Sequence, residues 1–171
     1  ALGELDIVLD QDPKLIIAHY YKGRVNLELR RYKEAEASYL KALKLNPELE
    51  PALFDLGTLY QMTRRNTDAI ATYKRLLERN PENLTVRERL ADIYIKQGLK
   101  ERADQEMNAI KERARPGDRE RQTLGLLFLR QGRLDESIQE LQSILSAWPD
   151  DDKSRYYLAT AHEEKGDLET A

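Results

Sequence analysis

The sequence contains no cysteine, which excludes disulfides, thiolate nucleophiles and every zinc site built on cysteines. No uninterrupted apolar run approaches the roughly 20 residues needed to span a bilayer, so no membrane insertion is expected. The start, Ala1 to Asp12, is acidic rather than a basic segment leading into an apolar one, so no signal peptide is read there. The compartment stays open, cytoplasmic and periplasmic alike. An excess of one charge is also lacking: 28 Lys plus Arg against 31 Asp plus Glu give a net charge of −3, too near neutral to draw nucleic acid in bulk. Eight glycines and six prolines are too few for a low-complexity linker. What remains is a chain of 171 residues, 40% hydrophobic and 35% charged, the balance of a soluble folded protein of about one domain's length.

Those few glycines and prolines are regularly placed. Shifting the sequence by 34 residues aligns Gly23, Gly57, Ala91, Gly125 and Ala159 without insertion or deletion. A second small-residue column runs through Ala1, Ala35, Ala69, Ala103, Ser137 and Ala171, and prolines keep the same phase at Pro13, Pro47, Pro81 and Pro149. Only Pro116, in Arg115-Pro116-Gly117, is displaced by one residue.

Between the markers the apolar spacing is helical, as in Leu53, Leu56, Tyr60 and then Ala69, Tyr73, Leu76, Leu77. Each unit therefore holds two amphipathic helices. The second should end at Asn46, Asn80 and Trp148, because proline disfavours helical backbone at the residue before it. The turn within a unit falls at Gly98, Gly132 and Gly166, whereas Arg30 and Arg64 must make the same turn without glycine's freedom at positive φ. Helices of about 13 residues are marginal alone in water, so the hairpins must stack. The small columns should mark the closest helix approach, and Tyr39, Tyr73, Met107 and Leu141 should fill the space between successive units. The fold class read here is all-α, a right-handed α-solenoid of stacked 34-residue helix-turn-helix units.

With these residues the chain resembles the tetratricopeptide repeat family, whose signature is W-x2-L-G-x2-Y, then A-x3-F, then P. The second unit follows it at Leu53, Leu56-Gly57, Tyr60, Ala69, Tyr73 and Pro81. The third follows at Leu90-Ala91, Tyr94, Ala103 and Met107, and the fourth at Leu124-Gly125, Phe128, Leu141 and Pro149. The first departs at Lys22 and Asn26. The organisation expected is one array over 1–171: the second helix of a preceding repeat (1–15), repeats at 16–49, 50–83, 84–117 and 118–151, and a truncated repeat (152–171) whose second helix opens at Asp167. Both ends lack a polar capping helix, as in a piece of a longer array.

No catalytic constellation emerges. His19 and His162 stand far apart at places otherwise used for packing, and the carboxylate runs fall on helix exteriors or at a helix start, where the macrodipole favours anions. No phosphate-binding glycine loop is present. A non-catalytic protein without cofactor or metal is expected. The surface itself is the candidate, because in such a stack the first helices line a concave wall. Its non-packing places include Tyr20, Arg24 and Leu27, then Phe54, Asp55 and Thr58, then Arg89, Asp92 and Ile95, then Leu126, Leu129 and Arg130, and finally Tyr156. Rings supply contact area at low entropy cost and mixed charges set register, the combination used to hold a peptide or protein segment.

Members of the resembling family that hold the C-terminal carboxylate of heat-shock chaperones use Lys and Asn, then Asn, then Lys and Arg in three successive units. No frame here fits; the first reads Tyr20, Arg24, Asp55, Thr85 and Arg89, and Asp55 would repel a carboxylate. Arg30-Arg31 and Arg64-Arg65 form a basic strip, read as solvated turns rather than a nucleic-acid site. Charge shifts along the chain, from seven basic against four acidic groups in residues 16–49 to four against seven in 118–151. Self-association through the ends, at Leu5, Val8, Leu9 and at Tyr157, Leu158, Ala161, is the alternative function.

Overall fold

The computed structural model describes residues 1–166; the second helix expected to open at Asp167 lies outside them. Among the described residues there are ten α-helices and no strand. Two compact units divide the chain, Ala1–Pro81 and the part from Glu82 onward.

The first unit holds α1 (Leu2–Gln11), α2 (Ile16–Glu28), α3 (Tyr32–Leu45), α4 (Glu50–Met62) and α5 (Asn66–Arg79). Within it α2 packs on α3 and α4 on α5 as antiparallel hairpins, and α2 also meets α4, so the first helices of successive repeats are neighbours. The second unit holds α6 (Leu84–Lys96), α7 (Lys100–Arg113), α8 (Gln122–Arg130), α9 (Leu134–Ala147) and α10 (Asp152–Lys165). There α6 packs on α7 and α8 on α9, while α6, α8 and α10 form the row of first helices. Its centre is a buried cluster of Ala91, Met107, Ile110, Leu124, Leu127 and Phe128, each large side chain contributing about 1.5–3 kcal/mol by leaving water.

The helix ends follow the repeat phase. Asn46, Asn80 and Trp148 terminate α3, α5 and α9, as the prolines beyond them require. Each hairpin turn closes alike: Arg31, Arg65, Leu99 and Arg133 donate their backbone N–H to the carbonyls of Asn26, Tyr60, Tyr94 and Phe128 at 2.8–2.9 Å. These are Schellman closures, which need a left-handed residue just before the donor. That residue is Gly98 and Gly132, both at φ 71°, but Arg30 at φ 58° and Arg64 at φ 61°. The two arginines therefore carry the strain expected from the missing glycines.

Two features differ from the sequence reading. The bulky column reaches the next repeat, as Met107 does beside Leu124 and Phe128, but it also presses on the small column of its own unit. A Cβ placed on Gly23 would stand 2.6 Å from the Tyr39 ring, on Gly57 2.5 Å from the Tyr73 ring, and on Gly125 2.6 Å from Leu141. The cause is local, because the hairpin brings the middle of the second helix against the middle of the first. The displaced proline has a second effect. Gly117 turns at φ 85°, Asp118 accepts the Arg115 backbone N–H at 2.8 Å, and the first helix of the fourth repeat begins as a 3₁₀ turn, Arg119–Arg121, leaving α8 nine residues long.

Candidate functional site

In the first unit the expected wall residues lie on α2 and α4. Tyr20 and Phe54, equivalent by the repeat, are both half-buried. Each rests on the buried tyrosine of its own second helix: Tyr20 is 6.2 Å from Tyr39 and Phe54 6.1 Å from Tyr73 between ring centroids. Tyr21 extends the cluster outward, 5.3 Å from Tyr20 and exposed. It was not among the expected contacts, although the doublets Tyr20-Tyr21 and Tyr156-Tyr157 share one phase and could have signalled it.

The two tyrosines beneath the rings differ in one respect. Tyr73 has its hydroxyl 3.1 Å from Thr58 Oγ1 and 3.4 Å from Gln61 Oε1. One repeat earlier those places are Arg24 and Leu27, and the Tyr39 hydroxyl is buried without a hydrogen-bond partner. Burial pushes Tyr39 far above its ordinary pKa, and Asp55 adds to the shift. Asp55 accepts a hydrogen bond from the Tyr20 hydroxyl at 3.1 Å and lies 4.0 Å from Arg24 Nε. Burial raises the Asp55 carboxyl, and the Tyr20 bond and Arg24 charge offset it only in part.

In the second unit, Asp92 accepts from Lys96 Nζ at 2.6 Å and from the guanidinium of Arg130 on α8. Arg130, Ile95, Gly98, Lys100 and Gln131 line a cleft of about 270 Å³. Arg89 is exposed, Leu126 half-buried, and Tyr156 is 68% exposed with its ring edge on Tyr157 at 5.5 Å. The neighbouring Glu88 is raised by burial, against the hydrogen bond of Thr123 and the charges of Arg89 and Lys153. Leu129 is a correction: it is 9% exposed and buried, not a contact residue. Its place faces the second helix of its own repeat, as the bond between Gln61 at the same place and Tyr73 shows, and Leu129 sinks against it where Ile95, also at that place, stays half-buried on the cleft.

Two of the turn arginines, Arg65 and Arg133, are paired within the chain. Arg65 pairs with Glu36 at 2.8 Å and Asp68 at 2.7 Å and covers the Tyr60 ring at 4.3 Å. Arg133 pairs with Asp104 at 2.6 Å and with Glu136, and covers Phe128 at 4.5 Å. Burial, and after it the bond to Glu36, pushes the Tyr60 phenol up to about 12.

Two further features were not foreseen. Arg87 meets Glu106 at 2.9 Å, and one repeat later Arg121 meets Glu140 at 2.6 Å with both side chains buried. Leu53 and Thr72 hold the same places in the second repeat, so the charged columns were visible in the sequence. On the other flank of the first unit, a groove of about 750 Å³ runs between α1 and α3 over Pro13, His19 and Ser38. Its walls carry Asp6, Asp10 and Glu34 against Lys22, Lys41 and Lys44. One repeat on, Arg75 in place of Lys41 reaches the Pro47 carbonyl at 2.5 Å.

The hairpins and their phase agree with known proteins. Models of the tetratricopeptide repeat match residues 16–49, 63–124 and 123–171. A tetratricopeptide repeat protein from Parabacteroides merdae is similar in structure, with a TM-score of 0.83 and 22% identity over 97% of this chain and 66% of its own, so this chain spans just under two thirds of it. MamA gives 0.70 at 19% identity over 90% of this chain and 84% of its own. YrrB, a repeat protein with an unusual peptide-binding site, gives 0.70 at 18% over 99% and 88%. No curated protein sequence matches. The repeat matches stand together with the four Schellman hairpins and the close glycine contacts on Tyr39, Tyr73 and Leu141, and the chain belongs to the tetratricopeptide repeat family, folded as an all-α helical-repeat solenoid.

Proposed function

We propose that this chain is a non-catalytic interaction scaffold that captures a peptide or protein segment on the concave wall that the first helices form within each unit. The observation that carries the reading is the pair Tyr20 and Phe54, kept half exposed in successive repeats and each propped by a buried tyrosine 6.1–6.2 Å away. Rings that only padded the helix interface would sink to the burial of Tyr39 and Tyr73, both 0% exposed. A rigid, half-open ring gives a partner apolar area with little side-chain entropy left to lose. Arg24, Asp55, Arg89 and Arg130 would add selection by charge, and Leu126 and Tyr156 further contact.

The test is retention of a degenerate dodecapeptide library on immobilised protein. Replacing Phe54 and Leu126 by serine, with far-UV circular dichroism unchanged, should abolish retention; equal retention rejects the wall as the contact surface. A second reading, stacking of copies through the array ends, is favoured by Ile7 at 60% and Val8 at 37% exposure on α1, where Ala42 and Leu76, at the place of Val8 in the next repeats, are 0% and 1% exposed. Ala161 drops out of that surface, being fully buried. A particle mass by light scattering that stays monomeric at high concentration rejects stacking.

A further inference from the structure

We infer that the wall of the first unit selects a segment bearing a lysine or arginine side chain, which Asp55 receives in place of Arg24. The inference rests on the proposed capture of peptides by this wall and adds the chemistry of what is captured.

Asp55 is a wall carboxylate with acceptor capacity to spare. An ionised carboxylate offers about four lone-pair sites. Here one hydrogen bond is made, from the Tyr20 hydroxyl at 3.1 Å, while Arg24 Nε stands at 4.0 Å, beyond hydrogen-bond distance, on a side chain 49% exposed. Asp92 in the second unit is the contrast. Lys96 and Arg130 both donate to it directly, so the internal cations have already taken the place a ligand would want.

The surroundings suit a long cationic side chain. Its methylenes can lie along the half-open rings of Tyr20 and Phe54 while its head reaches the carboxylate, giving a charge-assisted bond that the loose Arg24 contact does not. A second, independent observation lies beneath. The Tyr39 hydroxyl is buried with no partner, because Arg24 and Leu27 stand where Thr58 and Gln61 hold Tyr73 one repeat later. A bound segment that draws Arg24 aside brings backbone carbonyls to the one tyrosine of the pair that has a hydrogen bond left to donate. Tyr39 and Tyr20 are in ring contact and Asp55 and Arg24 act electrostatically on Tyr39, so these groups form one cluster. An acidic segment would meet Asp55 instead.

The test uses the same dodecapeptide library, read by sequencing the retained pool at near-physiological salt for wild type, Asp55→Asn and Arg24→Gln. Wild type should enrich Lys plus Arg several-fold over the input. Asp55→Asn should lose that enrichment, with affinity for a retained Lys-containing peptide down about tenfold while apolar peptides are still held. Arg24→Gln should hold the Lys peptide more tightly, since it removes the internal competitor. Retention without Lys or Arg enrichment, enrichment that survives in Asp55→Asn, or a Lys peptide weakened by Arg24→Gln each overturns the inference and leaves the wall reading standing. Absence of retention by wild type and by the Phe54 variant alike overturns both.

Discussion

Arg121 donates to Glu140 across 2.6 Å with both side chains buried, and Lys111 Nζ lies 3.5 Å from the same carboxylate. Two charges taken out of water are costly, and the pair survives because each partner compensates the other. Replacing Glu140 by alanine leaves Arg121, whose Nε already lacks a hydrogen-bond partner, uncompensated. A loss of about 3–5 kcal/mol is expected. The second repeat shows the alternative filling, Leu53 opposite Thr72. Arg121→Leu combined with Glu140→Thr should therefore stay within about 1 kcal/mol of wild type or exceed it. Urea unfolding of the three proteins at equal m-value decides; a single variant as stable as wild type would mean that water reaches the site.

Arg30 and Arg64 occupy left-handed backbone that Gly98 and Gly132 occupy without penalty. A Cβ in that region costs about 1–2 kcal/mol, partly offset by the greater entropy glycine loses on folding. Arg30→Gly and Arg64→Gly should each stabilise by about 0.5–1 kcal/mol, visible as a raised melting temperature. Lower melting temperatures would show that the guanidinium groups contribute more than their backbones cost.

Much of this was readable in the sequence because each signal is local. Proline at a fixed phase ends a helix one residue before it, and Asn46, Asn80 and Trp148 end theirs there. Positive φ at Arg30 and Arg64 follows from counting residues in a turn. The site was less legible because its contacts bridge repeats. Tyr20 bonds to Asp55 at a separation of 35 residues and Arg130 to Asp92 at 38, offsets that appear only once the stack is built. The wall charges could be named, but not that they answer one another. Leu129 failed for a related reason, since whether a helix flank faces solvent or its own hairpin partner depends on the hairpin angle, which spacing does not give.

Gly57 is held small by Tyr73, which is fully buried and hydrogen-bonded through its hydroxyl, so its ring has nowhere to move. Gly57→Ala should cost about 1–3 kcal/mol. The third repeat has alanine and methionine at these places, Ala91 and Met107, and methionine bends where tyrosine cannot. A Tyr73→Met background should therefore remove most of the alanine's cost. In a double-mutant cycle the coupling should be favourable by more than about 0.5 kcal/mol, and additivity would reject the clash.

The raised carboxyl of Asp55 fixes the sign of its pH effect on folding. A folded-state value above the unfolded one means that the native protein holds the proton more tightly, so stability is present at low pH and is lost as pH rises through the ordinary carboxyl value to the folded one. Asp55→Asn removes that loss while keeping an acceptor for Tyr20. The variant and wild type should melt together near pH 3, and the variant should melt higher at pH 7. Glu136 makes the opposite case: the hydrogen bond from Arg133 lowers its carboxyl, so its contribution is present at neutral pH and fades on acidification. Glu136→Gln should accordingly melt lower than wild type at pH 7 and converge with it in acid. Should Asp55→Asn also melt lower at pH 7, the bond from Tyr20 and the charge of Arg24 outweigh burial, and the carboxylate is better satisfied than its surroundings suggest.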